Sequence, residues 1–167
     1  MRIVDTVLAE LEQESKATLR VLERVPQSHL AWRPHPKSMS LGQLALHVAT
    51  IPGNVAQLAA ADVIPEPPAF VQAEATQASE LGPTLLASVA KAREVLERFD
   101  DDAMMRMWRL QHAGQDLMAM PRAAVLRTIM LNHWYHHRGQ LLVYLRLHDV
   151  PLPSVYGPTA DDNPFAG

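Results

Sequence analysis

The chain has 167 residues, 48% of them apolar and 20% charged, which is a globular profile with enough length for a full core. A net charge of −3 with no Lys/Arg cluster gives no electrostatic basis for nucleic-acid binding, and no apolar run approaches the ~20 residues of a membrane span. The absence of cysteine excludes disulfides, thiolate metal sites and a protein-borne thiol nucleophile together, so any thiol chemistry needs a thiol from outside.

Met1-Arg2-Ile3-Val4-Asp5 lacks the apolar core of a signal peptide, and a cytoplasmic location is the expectation. From Ile3 to Val25, Val4, Val7, Leu8, Leu11, Thr18, Leu19 and Leu22 recur at helical spacing, and Pro26 ends this first helix. Glu12 and Glu14 read as part of its solvated face. The turn-rich link from Leu30 to Ser40 contains Pro34 and Pro36, which forbid a helix. Trp32 is expected to pack against a helix end, and His35 to lie on the surface.

Ser40 reads as the N-cap of a second helix running from Leu41 to about Ala61. Gln43, Leu44, His47, Ile51, Asn54 and Leu58 share one of its faces, which places His47 on a largely apolar stripe. Pro52-Gly53 predicts a kink one turn after His47, or a helix that stops at Ile51. Val63 to Glu80, with Pro65, Pro67 and Pro68, reads as a long linker. Gly82-Pro83 fits the start of a third helix with the stripe Leu85, Val89, Ala92, Leu96 and Phe99, ended by Asp100-Asp101-Asp102. Between Met104 and Met120 the pattern suggests a small β-hairpin with Gly114 in its turn. Pro121 opens a long fourth helix, Arg122 to Leu147, and the tail beyond Asp149 is rich in turn formers. Four helices with one connection long enough to cross them predict an all-α four-helix bundle forming a single domain over 1–167.

The fourth helix carries Asn132-His133-Trp134-Tyr135-His136-His137-Arg138-Gly139-Gln140. His133 and His137 stand one turn apart on a face with Leu126, Ile129, Met130, Gln140 and Tyr144, so both imidazoles can aim at one point. A lone histidine on an apolar face is more often a hydrogen-bonded core residue than a ligand. Two such imidazoles need partners for four nitrogens, and with His47 added a metal ion is the economical solution over a hydrogen-bonded cluster. His136 is close enough on the wheel to replace His137, but spacing favours the four-residue pair. Gln43, Asn54 and Gln140 are candidates to hydrogen-bond the ligands from behind. Three histidine ligands leave a coordination position open, the pattern of catalytic rather than structural zinc.

Three blocks carry a resemblance to a known family. They are Trp32-Arg33-Pro34 with Lys37-Ser38-Met39-Ser40-Leu41-Gly42-Gln43-Leu44-Ala45-Leu46-His47; Asn132-His133 through His137-Arg138-Gly139-Gln140-Leu141; and Pro153-Ser154-Val155-Tyr156-Gly157-Pro158. Together they resemble the DinB/YfiT-like superfamily of metal-binding four-helix bundles, in its damage-inducible DinB branch, which is unrelated to the DNA polymerase of similar name. The resemblance implies His47, His133 and His137 as metal ligands, nickel or zinc as the ion, and a homodimer. It also implies, in some members, transfer or isomerisation dependent on a low-molecular-weight thiol. The expected function is a metal-dependent thiol S-transferase; the alternatives are a metal-dependent hydrolase or a non-catalytic metal-binding stress-response module.

Overall fold

The structure is a computed structural model that describes residues 1–69 and 71–165. The chain is mostly helical, with a small three-stranded sheet. Four long helices, α1 (Ile3–Leu22), α2 (Leu41–Ala60), α3 (Leu81–Leu96) and α6 (His133–Arg146), are joined by two short ones, α4 (Asp101–Met105) and α5 (Arg122–Val125). α2 is the central element: it packs most extensively on α3, then on α6, and also touches α1. Its buried residues Leu44, Ala45, Val48, Ala49, Ile51, Val55, Ala56 and Ala59 form the middle of the core.

Ser40 caps α2 as expected. Its Oγ accepts from Gln43 N–H at 3.1 Å while Gln43 Oε1 accepts from Ser40 N–H at 2.9 Å, a reciprocal capping box. Pro52-Gly53 does not stop the helix. Proline cannot serve the carbonyl of Val48, one turn back, and that carbonyl accepts instead from the indole Nε1–H of buried Trp134 at 2.9 Å. Gly53 N–H donates to Ser88 Oγ at 2.8 Å, and the Ser88 hydroxyl donates to Thr50 O at 3.1 Å. α3 comes so close here that a Cβ on Gly53 would lie 2.9 Å from the Ser88 carbonyl oxygen. The dipeptide read as a kink or a stop therefore docks α3 through Gly53, while the Val48 carbonyl that Pro52 leaves without its helical partner accepts from Trp134 of α6.

The expected hairpin is part of a larger sheet. β2 (Met107–His112) and β3 (Gln115–Pro121) are antiparallel, while β1 (Val63–Ile64) adds a parallel strand on β2 with Val63 opposite Arg109. Ala113 and Gly114, at φ 49° and 76°, make the two-residue turn, and the Ala113 N–H donates to Glu66 Oε1 at 3.0 Å. The proline-rich stretch read as a plain linker is thus tied to the sheet at its start. At its far end Ser40 Oγ donates to Glu74, Ala75 N–H donates to Gly42 O at 3.4 Å, and a 3-10 turn spans Ala78–Glu80.

The last helical stretch is also more complex than one continuous α-helix. α5 runs into a π-helical segment, Leu126–Asn132, before α6 begins at His133. The wider π turn shifts the phase of everything that follows it. In α6 the core face is Trp134, Arg138, Leu141 and Leu145, while His133, His137 and Tyr144 are half-buried and Gln140 is exposed. On α2, His47, Gln43 and Leu58 are likewise half-buried and Asn54 exposed. The histidine faces are therefore flanks of the core, not the central stripes that a uniform 100° wheel assigns them.

Candidate metal centre

Each of the three histidines is adjacent in sequence to a residue locked into the core. His47 precedes Val48 and His133 precedes Trp134, and the Trp134–Val48 hydrogen bond fixes α6 against α2 beside both histidines. His137 precedes Arg138, which is 2% exposed and forms a 2.7 Å ion pair with buried Glu14 of α1. Arg138 also donates to Thr18 Oγ1 at 3.0 Å and to Tyr156 Oη at 2.5 Å, and Tyr156 donates onward to Glu14 at 2.9 Å. The helix periodicity thus buries one neighbour of each histidine and turns the imidazole to the groove between α2 and α6.

In that groove the three rings converge. His133 Nε2 lies 2.8 Å from His137 Nε2 and 3.5 Å from His47 Nε2, and one ring nitrogen of each falls within 4.8 Å of the others. Ligands at 2.0–2.1 Å from a tetrahedral divalent ion stand about 3.3 Å from one another, so the observed spacing fits one ion held by the three imidazoles. His137 Nδ1 lies 2.8 Å from Gln140 Oε1. That oxygen accepts only, so Nδ1 carries the proton and the Nε2 lone pair faces the other two rings.

The electrostatics favour neutral imidazoles. Burial first, then the neighbouring His137 and His133, push His47 from the ordinary 6.5 down to about 4. Burial is also the leading cause of the lowered pKa of His133, where the Ile129 carbonyl opposes it, and of His137, where Gln140 opposes it. A neutral imidazole is the form that binds a metal, so the protein holds these groups ready for an ion at neutral pH.

Of the other sequence candidates, Gln43 is half-buried and engaged in the helix cap, and with Asn54 it lines a cavity beside His47. His136 is exposed and outside the triad, and exposed His35 accepts from Lys37 N–H at 3.1 Å. Trp32 meets Tyr144 and His148 edge-on at the end of α6. Glu14, read as solvated, is buried. Sequence reasoning passed over it and Arg138, although each shares a face with core residues three and four positions away (Leu11 and Thr18; Trp134 and Leu141).

The cavity, of about 580 Å³, lies between α2 and Ile64, Pro68, Ala69, Val71, Gln72 and Ala73, with His47 the one member of the triad in its described wall. No helix among the described residues is long and apolar enough to cross a membrane.

A sequence model described as the DinB family matches residues 1–163. Among known proteins, the uncharacterized protein YrdA of Bacillus subtilis strain 168 is 25% identical over 160 residues, covering 95% of this chain and 91% of that one. Among solved structures, a DinB-like protein from Bacillus cereus ATCC 10987 superposes with a TM-score of 0.69 at 21% identity, covering 91% of this chain and 97% of that one. The DinB-like protein YjoA from Bacillus subtilis gives a TM-score of 0.65 at 19% identity, covering 95% of this chain and 99% of that one.

Proposed function

The chain belongs to the DinB family, and from that premise we propose that it is a divalent-metal enzyme that joins an external low-molecular-weight thiol to an electrophilic small molecule. His47, His133 and His137 would hold the ion. The observation that carries the reading is the convergence of three neutral imidazoles beside a cavity that no Asp, Glu, Lys or Arg among the described residues lines. Imidazole donors suit both zinc and nickel. When bound, the ion supplies Lewis-acid charge, which three neutral ligands leave uncancelled and which lowers the pKa of a thiol or water beside it.

The chain's own residues favour the thiol over water. Among the described residues the cavity wall holds no carboxylate or lysine to serve as a general base for activating water. A thiol, with a pKa near 8.5, needs far less help to ionise than water at 15.7. Gln140 holds His137 in the ligand tautomer, His47 presents the centre to the cavity, and Ile64, Pro68, Ala69 and Val71 form part of the cavity's other wall. We also read the four long helices as one four-helix-bundle domain, with the connection from Val63 to Glu80 as its crossover. Two copies would form a homodimer in the cytoplasm, with the open space over Gly139 on α6 leaving room for a second helix. Light scattering giving the 18.6 kDa monomer mass at micromolar concentration would remove the dimer.

The central test is metal analysis of protein purified without chelator or nickel resin, followed by thiol titration of cobalt-loaded protein. One ion per chain is expected in the native protein and close to none in His133→Ala, with the helical signal retained. Thiols should change the cobalt visible spectrum, and His47→Ala should show neither that change nor turnover of an electrophile. Full occupancy in His133→Ala would refute the ligand set. A cobalt spectrum that answers to hydroxide or carboxylates but to no physiological thiol would point to hydrolysis or a non-catalytic stress-response role.

A further inference from the structure

The wall of the cavity beside His47 differs from the rest of the chain in one respect. One residue in five of the sequence is charged, yet the described cavity lining contains no carboxylate, lysine or arginine. The apolar part of the wall comes from side chains such as Leu46 and Leu58, and the polar part, besides His47, from Gln43, Thr50, Asn54, Gln57 and Gln72. Thr50 already donates to Leu46 O at 2.9 Å, whereas the amides of Asn54, Gln57 and Gln72 make no side-chain hydrogen bond among the described residues.

The carboxylates nearest in sequence are engaged elsewhere. Glu66 binds His112 Nδ1 at 2.6 Å and the Ala113 N–H, Glu74 accepts from Ser40, and Asp62 accepts from buried Arg122 at 2.5 Å. These carboxylates thus tie the wall segment to α2, the hairpin turn and Arg122, and none of them is among the described lining residues. Apart from the ion the triad would hold, a charged group entering this space would lose hydration without meeting a counter-charge, whereas an amide, ester or ketone would find both donors and acceptors.

We propose that this cavity is the binding site for the body of the electrophilic substrate, and that it selects an uncharged, largely apolar molecule carrying hydrogen-bonding carbonyl or amide groups. The inference rests on the transferase reading for the name electrophile. The selection itself rests on the cavity wall alone. Amides supply both a donor and an acceptor without charge, so they discriminate by desolvation: the neutral ligand gives up weak hydration and the ion gives up strong hydration. A volume of about 580 Å³ lies within the usual range for small-molecule sites and admits a two-ring molecule.

Three probes of one shape test this: 1-naphthylacetamide, 1-naphthylacetate and 1-naphthylmethylammonium. Binding to the full chain is measured by calorimetry, on protein as isolated and after chelator treatment, with metal content recorded in parallel. In the metal-free protein the amide should bind at least tenfold more tightly than either ion. Leu58→Trp, which fills the cavity, should abolish that binding. The exposed change Asn54→Asp should weaken the amide and strengthen the ammonium probe, and it keeps the proposal testable if the larger substitution does not fold. Equal affinities for the three probes, tighter binding of either ion, or an Asn54→Asp variant with unchanged selectivity would overturn the proposal. Selective amide binding in a protein that takes up no metal would sink the metal reading and leave this one standing. Stoichiometric metal without amide selectivity would do the reverse.

Discussion

A histidine has to be neutral to bind a metal ion, and at the residue scale the fold holds all three members of the triad toward that form. His47 titrates at about 4 in the folded chain against 6.5 ordinarily, with His133 and His137 shifted the same way. As pH falls, the unfolded chain takes up these protons first, so stability present above pH 6.5 is lost progressively toward pH 4. Metal-free protein should therefore show a lower urea midpoint at pH 5 than at pH 7.5, and His47→Gln should reduce that difference. An unchanged pH dependence in His47→Gln would show that the imidazole is not held neutral. Gly53 makes the other residue-scale prediction. Alanine there places a Cβ 2.9 Å from a backbone oxygen of α3, and the overpacking should cost about 1–3 kcal/mol in denaturant melts.

Between elements, the decisive contact is the Trp134 indole on the Val48 carbonyl, because it links two helices at residues adjacent to His133 and His47. Trp134→Phe keeps most of the apolar volume and removes the donor, leaving a buried carbonyl that Pro52 cannot satisfy. Such a change typically costs about 1–3 kcal/mol. Metal affinity should fall as well, since the two ligand-bearing helices lose their shared anchor. Adding Pro52→Ala supplies a backbone N–H for the same carbonyl and should restore much of the stability. Failure of that rescue would show that the indole acts through packing alone. The π segment before His133 belongs to this scale too: it sets the rotation of α6 relative to α5 and so decides which face the histidines occupy.

For the molecule as a whole, Arg138 joins three parts of the chain: α6, α1 through Glu14 and Thr18, and the tail through Tyr156. Arg20 extends the same attachment, donating to the Ser154 carbonyl at 2.5 Å, and Arg146 pairs with Asp161. Removing one partner of a buried ion pair leaves the other uncompensated. Arg138→Ala should thus lose about 3–5 kcal/mol, while the double change Glu14→Leu with Arg138→Met should recover most of it. Chemical denaturation of the two variants separates the cases. A double variant as unstable as the single one would place the contribution in the aromatic contacts of Arg138 with Tyr135 and Tyr156 instead.

Much of this protein follows from local rules. Ser40 with Gln43 marks a helix start, Gly114 marks a turn that needs positive φ, and a four-residue spacing puts His133 and His137 on one face, because each depends on backbone geometry within a single turn. The pairing of that face with His47 was legible too, through its place on a second helix and the family resemblance. Other features depend on partners distant in the sequence, and the tertiary structure alone decided them. Val63–Ile64 is a strand only because β2 lies beside it, and Pro52-Gly53 sits within a continuous helix only because Trp134 and Ser88 supply the missing bonds. Arg138 and Glu14 are buried only because each neutralises the other. The position of the histidines on the flank of the core, with His47 in the wall of a cavity whose described lining is uncharged, is of the same kind: a π turn sets the phase of α6, and a stretch tied down near Glu66 and Glu74 supplies the opposite wall.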